Sequence, residues 1–325
     1  MPFYIFSGCY CYMHEKLASL AKEIRANSNY LQSKANEIRA SQFVVPVSKI
    51  PLTLSVCAVD GGLLAQRMHG ADILVCRALS VTFTYENSTF KSFSYHPSKI
   101  VEPELEIKNS LDEHEAVVFR SLFRLKRELE TALSSLSHSP SFLLLDGSLL
   151  PLPSDRPPDG SELGSLYAEV VLLYTSLYSS AAEKNCVLCG VVKDSRSRKL
   201  SKEFKLNCSD SMLCSHLLNG GERTPIFSAQ EKDLGKKIKF FYLQSSSYDL
   251  PLRIEFLDSD EDKIDKIASV IYTLSAISEN FAYPAVLVEA DMCAALNPED
   301  LDSIISSLTR LSGLRPLRRN SRPFR

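Results

Sequence analysis

The sequence predicts an α/β fold: a mixed sheet flanked by helices, with an N-terminal helical arm and C-terminal helices. Three observations carry this. Short apolar runs bounded by turn residues recur along the chain and read as buried strands. Segments of helical period lie between the later runs, the alternation that crossover helices produce in an α/β sheet. Two of the strands also end alike. Residues 56–63 read VCAVDGGL and residues 142–149 read FLLLDGSL, each an apolar run closing on Asp-Gly.

Each element follows from its own residues. Residues 14–39 are charged and helical, with Leu17, Leu20, Ala21 and Ile24 at spacings of three and four, and Pro46 and Pro51 close this arm. The first strand is expected at 54–60, with Gly61-Gly62 turning the chain, and the next two at 71–85 and 91–96. A helix over 111–135 carries an apolar stripe of Val118, Leu122, Leu125, Leu129, Ala132 and Leu136. A fourth strand spans 142–146, followed by a proline-rich loop over 151–158. Residues 164–184 form a long helix, apolar nearly all round and so expected to be buried. A fifth strand covers 186–193. Residues 195–237 are polar and irregular, an expected insertion or lid, and two further strands follow at 239–244 and 252–257. The acids of 259–262 open a helix running to about 280, complementing its dipole. Tyr283-Pro284 breaks it, a helix over 286–296 continues, and Asn297-Pro298-Glu299 starts a last one over 301–311. Three leading strands followed by helix, strand, helix, strand is the order of an RNase H-like sheet, in which acids on the first and fourth strands meet at the centre.

Composition bounds the function. The 325 residues, 45% hydrophobic and 23% charged, are those of an ordinary globular protein. The expected division is an arm over 1–45, a main domain over 46–312 and a basic tail over 313–325. The net charge of −2 excludes a grip on nucleic acid through bulk charge. Local grips remain: Lys193, Arg196, Arg198, Lys199, Lys202 and Lys205 in one stretch, and Arg310, Arg315, Arg318, Arg319, Arg322 and Arg325 in an acid-free tail. Either is otherwise a solvated face or frayed end. Nine cysteines form no disulfide framework. Cys186 and Cys189 have CxxC spacing inside an apolar strand, with no second pair at zinc-finger spacing, so structural zinc is not expected. The pattern suits a reducing cytoplasm. The longest apolar stretch, 170–182, is interrupted by Thr175, Ser176, Ser179 and Ser180, short of the ~20 residues a membrane span needs. The first residues lack a signal peptide's charged start and cleavage signature, and Met13 is an alternative start.

Two strand-end aspartates on neighbouring strands bring like charges together, which is costly unless a proton or a metal neutralises them. Asp-Gly is otherwise simply a turn. Two-metal hydrolysis needs several carboxylates around cations roughly 3.5–4 Å apart, and Mg²⁺ and Mn²⁺ prefer oxygen ligands. Asp60 and Asp146 supply two. On the helix, Glu128 lies about 90° from the stripe's centre and Glu130 about 110° on the other side, so position does not choose between them. Glu289 and Asp291 sit in a mostly apolar stretch, where a carboxylate needs either a partner or a polar outward face. Lys193 ends the fifth strand, placed to meet a phosphate or simply solvent.

Four blocks in order resemble the NurA nuclease family: VCAVDGG with ADILVCRALS, RELE with FLLLDGSL, GVVKDSRS, and ENFAYPAVLVEAD, together spanning about residues 50–300. The resemblance implies an RNase H-like, manganese-dependent 5′→3′ DNA nuclease. It also implies a homodimer working with the hexameric ATPase HerA in end resection and recombinational repair. It makes Asp60, Glu128 (Glu130 in reserve), Asp146 and Asp291 the expected holders of one or two Mn²⁺ or Mg²⁺ ions. Lys193 and Tyr283 complete the expected site, and DNA is held through its backbone without sequence reading. The chain departs from the family pattern twice: Gly62 stands where a serine is usual, and Asp291 where a histidine is usual. An aspartate binds a hard cation but cannot act as a histidine near neutral pH. One alternative is therefore a weakened relative serving as a DNA-binding or ATPase-regulating subunit. Another, a phosphatase with a nucleophilic Asp, wants a second Asp two residues on, where this chain has Gly62 and Ser148.

Overall fold

The computed structural model describes residues 6–109, 111–230, 234, 237–313, 315 and 317. Arg318, Arg319, Arg322 and Arg325 of the basic tail lie outside the described residues. Helix α1 (Phe6–Ala40) and a short strand β1 (Val45–Pro46) lead into β2 (Leu54–Arg67), β3 (Ala71–Glu86), β4 (Thr89–His96) and β5 (Glu104–Asn109). Then come α2 (Glu113–Ser135), β6 (Phe142–Asp146), α3 (Gly164–Glu183) and β7 (Val187–Val192). The chain continues through α4 (Lys199–Glu203), α5 (Asp210–Leu217), β8 (Glu222–Arg223), β9 (Phe227–Gln230), β10 (Lys237–Gln244) and β11 (Leu252–Leu257). It ends in α6 (Ile264–Leu274), α7 (Ala285–Ala294) and α8 (Pro298–Ser312).

The strands form one mixed sheet in the order β1-β8-β10-β11-β7-β6-β2-β3-β4, with β5 beside β3 and β9 beside β10. β2, β6 and β7 are parallel neighbours at its centre, and the other pairs are antiparallel. Alternation along β2 sorts its side chains to two cores. Cys57 and Val59 pack with Val118 and Leu122 of α2 and Tyr174 and Tyr178 of α3. Val56 and Ala58 pack with Ile267 and Ile271 of α6 and Leu287 and Ala290 of α7. Cys186 and Cys189 belong to opposite cores, and burial pushes the Cys186 thiol up to about 12. They are packing residues, and the CxxC spacing carries no chemistry.

Several expectations are corrected. Gly61-Gly62 is not a turn: β2 runs unbroken through it to Arg67. The dipeptide's local turn signal is overridden by two helices that press on the strand there. On the arm, Leu17, Leu20 and Ile24, whose spacing marked it as a helix, are exposed, and Leu31, Ala35 and Ile38 of α1 pack on α5. Helix α3 buries one face only, through Val170, Tyr174, Leu177, Tyr178 and Ala181, while Leu172 is 66% exposed. The stretch 195–237 is not irregular throughout. It carries α4, α5, β8 and β9, with Leu200, Leu213, Cys214 and Leu217 buried in a third core against α1. The helix opened by the acids of 259–262 starts as a 3₁₀ segment and ends at Leu274. The alternating residues of 104–109 were not expected to form a strand and pair with β3 as β5.

Candidate metal centre

Register sets the site. Val59 pairs with Leu145 across the parallel β2–β6 ladder, so Asp60 and Asp146, each one residue on, emerge side by side on the face covered by α7. Helix α7 brings Asp291 to the same place. Carboxylate oxygens of Asp60, Asp146 and Asp291 all lie within 4.8 Å of one another.

Each carboxylate has its own surroundings. Asp60 is only 5% exposed and accepts a hydrogen bond from the Gly61 amide at 2.8 Å. Burial, then the charges of Asp146 and Asp291, push its carboxyl up to about 7. The Tyr283 hydroxyl donates to Asp146 Oδ1 at 2.8 Å, and Lys193 Nζ sits 2.9 Å from Oδ2. Tyr283 is itself buried. Burial and the Asp146 carboxylate hold its phenol well above the ordinary value, so it stays a donor. The Lys193 ammonium also lies 4.3 Å from the centre of the Tyr283 ring.

Glu128 approaches from the opposite face of the sheet, through the gap that Gly61 leaves. A Cβ at Gly61 would fall 2.8 Å from both Cγ and Oε1 of Glu128. Glu128 is buried, and its Oε1 lies 3.2 Å from Arg124 Nη1 but has no aligned hydrogen-bond partner. Burial pushes this carboxyl up to about 8, against the pull of Arg124. Asp60, Asp146 and Asp291 form a donor set suited to a hard divalent cation; Glu128 stands outside that 4.8 Å trio, near enough for the charges of Asp60 and Asp146 to raise its carboxyl, and its unsatisfied oxygen wants a partner. Gly61→Ala is expected to displace Glu128 and weaken Mn²⁺ binding at least about 10-fold, on the scale of supporting-shell changes. Calorimetric titration of Mn²⁺ checks this, with a circular dichroism spectrum to confirm the fold.

The other acids are elsewhere. Glu130 pairs with Arg127 at 2.9 Å, and Glu289 accepts from the Tyr95 hydroxyl at 2.6 Å. Three contributors were missed from sequence. Arg124 was signalled by its i,i+4 spacing to Glu128. Glu255, a lone acid in the apolar strand β11, accepts from Ser148 Oγ at 2.7 Å and the Leu149 amide at 2.8 Å, fixing the loop after Asp146. Gly190 lets that loop cross β7, since a Cβ there would fall 2.6 Å from the Gly147 carbonyl oxygen. A cavity of about 140 Å³, lined by Arg124, Glu128, Asp146 and Gly147 among others, opens beside the cluster.

The model of the NurA domain matches residues 54–296, from the start of β2 to just past α7. The fold is similar to that of the NurA nuclease from Sulfolobus solfataricus, at 19% identity, covering 92% of this chain and 97% of that one, with a TM-score of 0.64. It is also similar to a NurA solved with manganese (10% identity, 91% and 98% covered, TM-score 0.55). A NurA solved with dAMP and manganese matches as well (10% identity, 94% and 98% covered, TM-score 0.53). No curated protein matches the sequence. The domain match takes in Asp60, Glu128, Asp146, Lys193, Tyr283 and Asp291 together, and on it the chain belongs to the NurA family.

Proposed function

We propose that this protein is a divalent-metal-dependent deoxyribonuclease. The observation that carries the reading is the convergence of Asp60, Asp146 and Asp291 within 4.8 Å, with the unsatisfied Glu128 oxygen beneath them. Family membership, and relatives solved with manganese and with dAMP, support it.

Asp60, Asp146, Asp291 and Glu128 would hold one or two Mn²⁺ or Mg²⁺ ions. Such an ion, when bound, supplies Lewis acidity at a phosphodiester and makes water a competent nucleophile near neutral pH. The protein's own groups do the rest. Tyr283 orients Asp146 through its hydroxyl. Lys193 Nζ lies 2.9 Å from Asp146 Oδ2; with that carboxylate engaged by a cation, the Lys193 ammonium would be available to a phosphate oxygen. Arg196, Arg198, Lys199 and Lys202 follow β7 and hold the DNA backbone without reading bases.

The reading extends to 5′→3′ degradation by a homodimer acting with a HerA-type ATPase in end resection. No described helix is long and apolar enough to cross a membrane, and the reading places the protein in the cytoplasm. Linear DNA labelled at either end tests the activity. With Mn²⁺, release of short 5′-labelled products and complete inhibition by EDTA are expected. Tight DNA binding with no cleavage under any divalent metal would instead assign a regulatory subunit.

A further inference from the structure

Resting on that reading, we propose that Gly62 and Arg77 together seat the C-terminal end of α7, and that Arg77 is thereby the positioning residue that holds Asp291 at the metal cluster. An aspartate side chain is short, so the height of α7 above the sheet decides whether Asp291 reaches Asp60 and Asp146.

Gly62 and Arg77 are direct cross-strand partners in the β2–β3 ladder. At Gly62 the helix rests on bare backbone. A Cβ there would fall on the carbonyl oxygen of Ala294 and 2.9 Å from its carbonyl carbon. Ala290 and Ala294, both buried on the sheet side of α7, keep the approach close.

Arg77 then fastens the same helix end. Its Nε donates to the Ala294 carbonyl at 3.1 Å, and its Nη2 donates to the carbonyl of Ala295. A third guanidinium nitrogen, Nη1, reaches the Val101 carbonyl at 3.5 Å and ties the side chain to the segment after β4. Helix α7 has no basic residue in its own last turn and no side-chain cap at its start. A neighbouring strand thus supplies both the hydrogen bonds and the positive charge that a helix C-terminus favours. Asp291 is one turn back, its carbonyl accepting the last helical bond from the Ala295 amide at 2.9 Å. The clamp therefore acts on the turn that carries the ligand.

The test is Mn²⁺ binding, followed by the electron paramagnetic resonance signal of the free ion, on the full-length chain and on R77M, R77K, G62A, D60A, D291A and the R77M/D291A double variant. R77M and G62A should each weaken Mn²⁺ binding about 10–100-fold, the usual cost of disturbing the support of a ligand. R77K should recover part of the loss, since one ammonium can serve one of the two carbonyls. R77M should cost nothing further in the D291A background, because the ligand it positions is already gone. Melting in EDTA identifies any variant that has unfolded, and R77K and G62A carry the test if R77M does. Affinity of R77M and G62A within about threefold of wild type would overturn the clamp, as would an equal loss from R77M with and without Asp291. Wild-type affinity in D291A overturns it too. D60A separates the two levels: if it binds Mn²⁺ normally the metal centre itself is misplaced, and if it loses binding while R77M does not, only the clamp falls.

Discussion

Asp60→Ala and Asp146→Ala are each expected to abolish Mn²⁺-dependent cleavage of linear DNA, a loss of about 10³-fold or more. Metal catalysis supplies several kcal/mol of transition-state stabilisation, and each ~1.4 kcal/mol is worth a factor of ten. These two residues sit next to one another on adjacent parallel strands, so neither can be replaced by a neighbour's movement. Truncating Asp146 also removes the carboxylate to which Lys193 and the Tyr283 hydroxyl bond. Gel assays on end-labelled DNA check the loss, with unfolding curves to show that each variant is folded. Cleavage at the wild-type rate in either variant would contradict the assignment.

The same crowding makes the metal-free protein pH-sensitive in a predictable direction. Burial, more than the neighbouring charges, pushes the Asp60 carboxyl from 3.8 up to about 7 and the Glu128 carboxyl from 4.5 up to about 8. Below the ordinary values both folded and unfolded chains are protonated, and the pair costs nothing. Between the ordinary and the raised values the folded chain holds protons that the unfolded chain has released. Stability therefore falls as pH rises from about 4 to about 8, and the loss is complete above that window. These two groups should therefore make the metal-free protein melt lower at pH 8 than at pH 5, and Mn²⁺ should restore more at pH 8 than at pH 5.

Asp60→Asn isolates the share of one group. The amide keeps an oxygen for the Gly61 N–H and removes a charge that Asp146 and Asp291 oppose. In EDTA at pH 8 the variant should melt above wild type, on the order of 5 °C, while losing cleavage. A melting temperature at pH 8 below that of wild type would show that Asp60 is not held in a like-charged, dehydrated cluster.

Much of the architecture was legible because it is written in short-range pattern. The apolar runs ending in Asp-Gly gave β6 to the residue and the start of β2, and the alternation of strands and helices gave the central parallel strands. Glu289 and Asp291 both stood out as acids in an apolar stretch, and only the family resemblance chose Asp291, while Glu289 bonds to Tyr95. What failed depended on contacts between distant segments. Gly61-Gly62 has a turn's composition, yet its glycines serve close approach, by Glu128 on one face and Ala294 on the other. Glu128 and Glu130 straddle the apolar stripe, so helical phase could not separate them; only the fold sends one under Gly61 and the other to Arg127. The arm's periodicity was real, but periodicity does not name the turn that docks, and Leu31, Ala35 and Ile38 do so against α5. Strands β1 and β8 are two residues each and pair with one another across most of the domain, a length at which no alternation can register.

Anomalous diffraction at the manganese edge, from crystals grown with Mn²⁺, examines the metal centre most directly. The expected peak lies among the carboxylates of Asp60, Asp146 and Asp291, with oxygens at about 2.1 Å as hard cations require, and with Glu128 turned toward it through the Gly61 gap. A map with no peak there, in crystals saturated with Mn²⁺, would contradict the metal centre and the nuclease reading built on it.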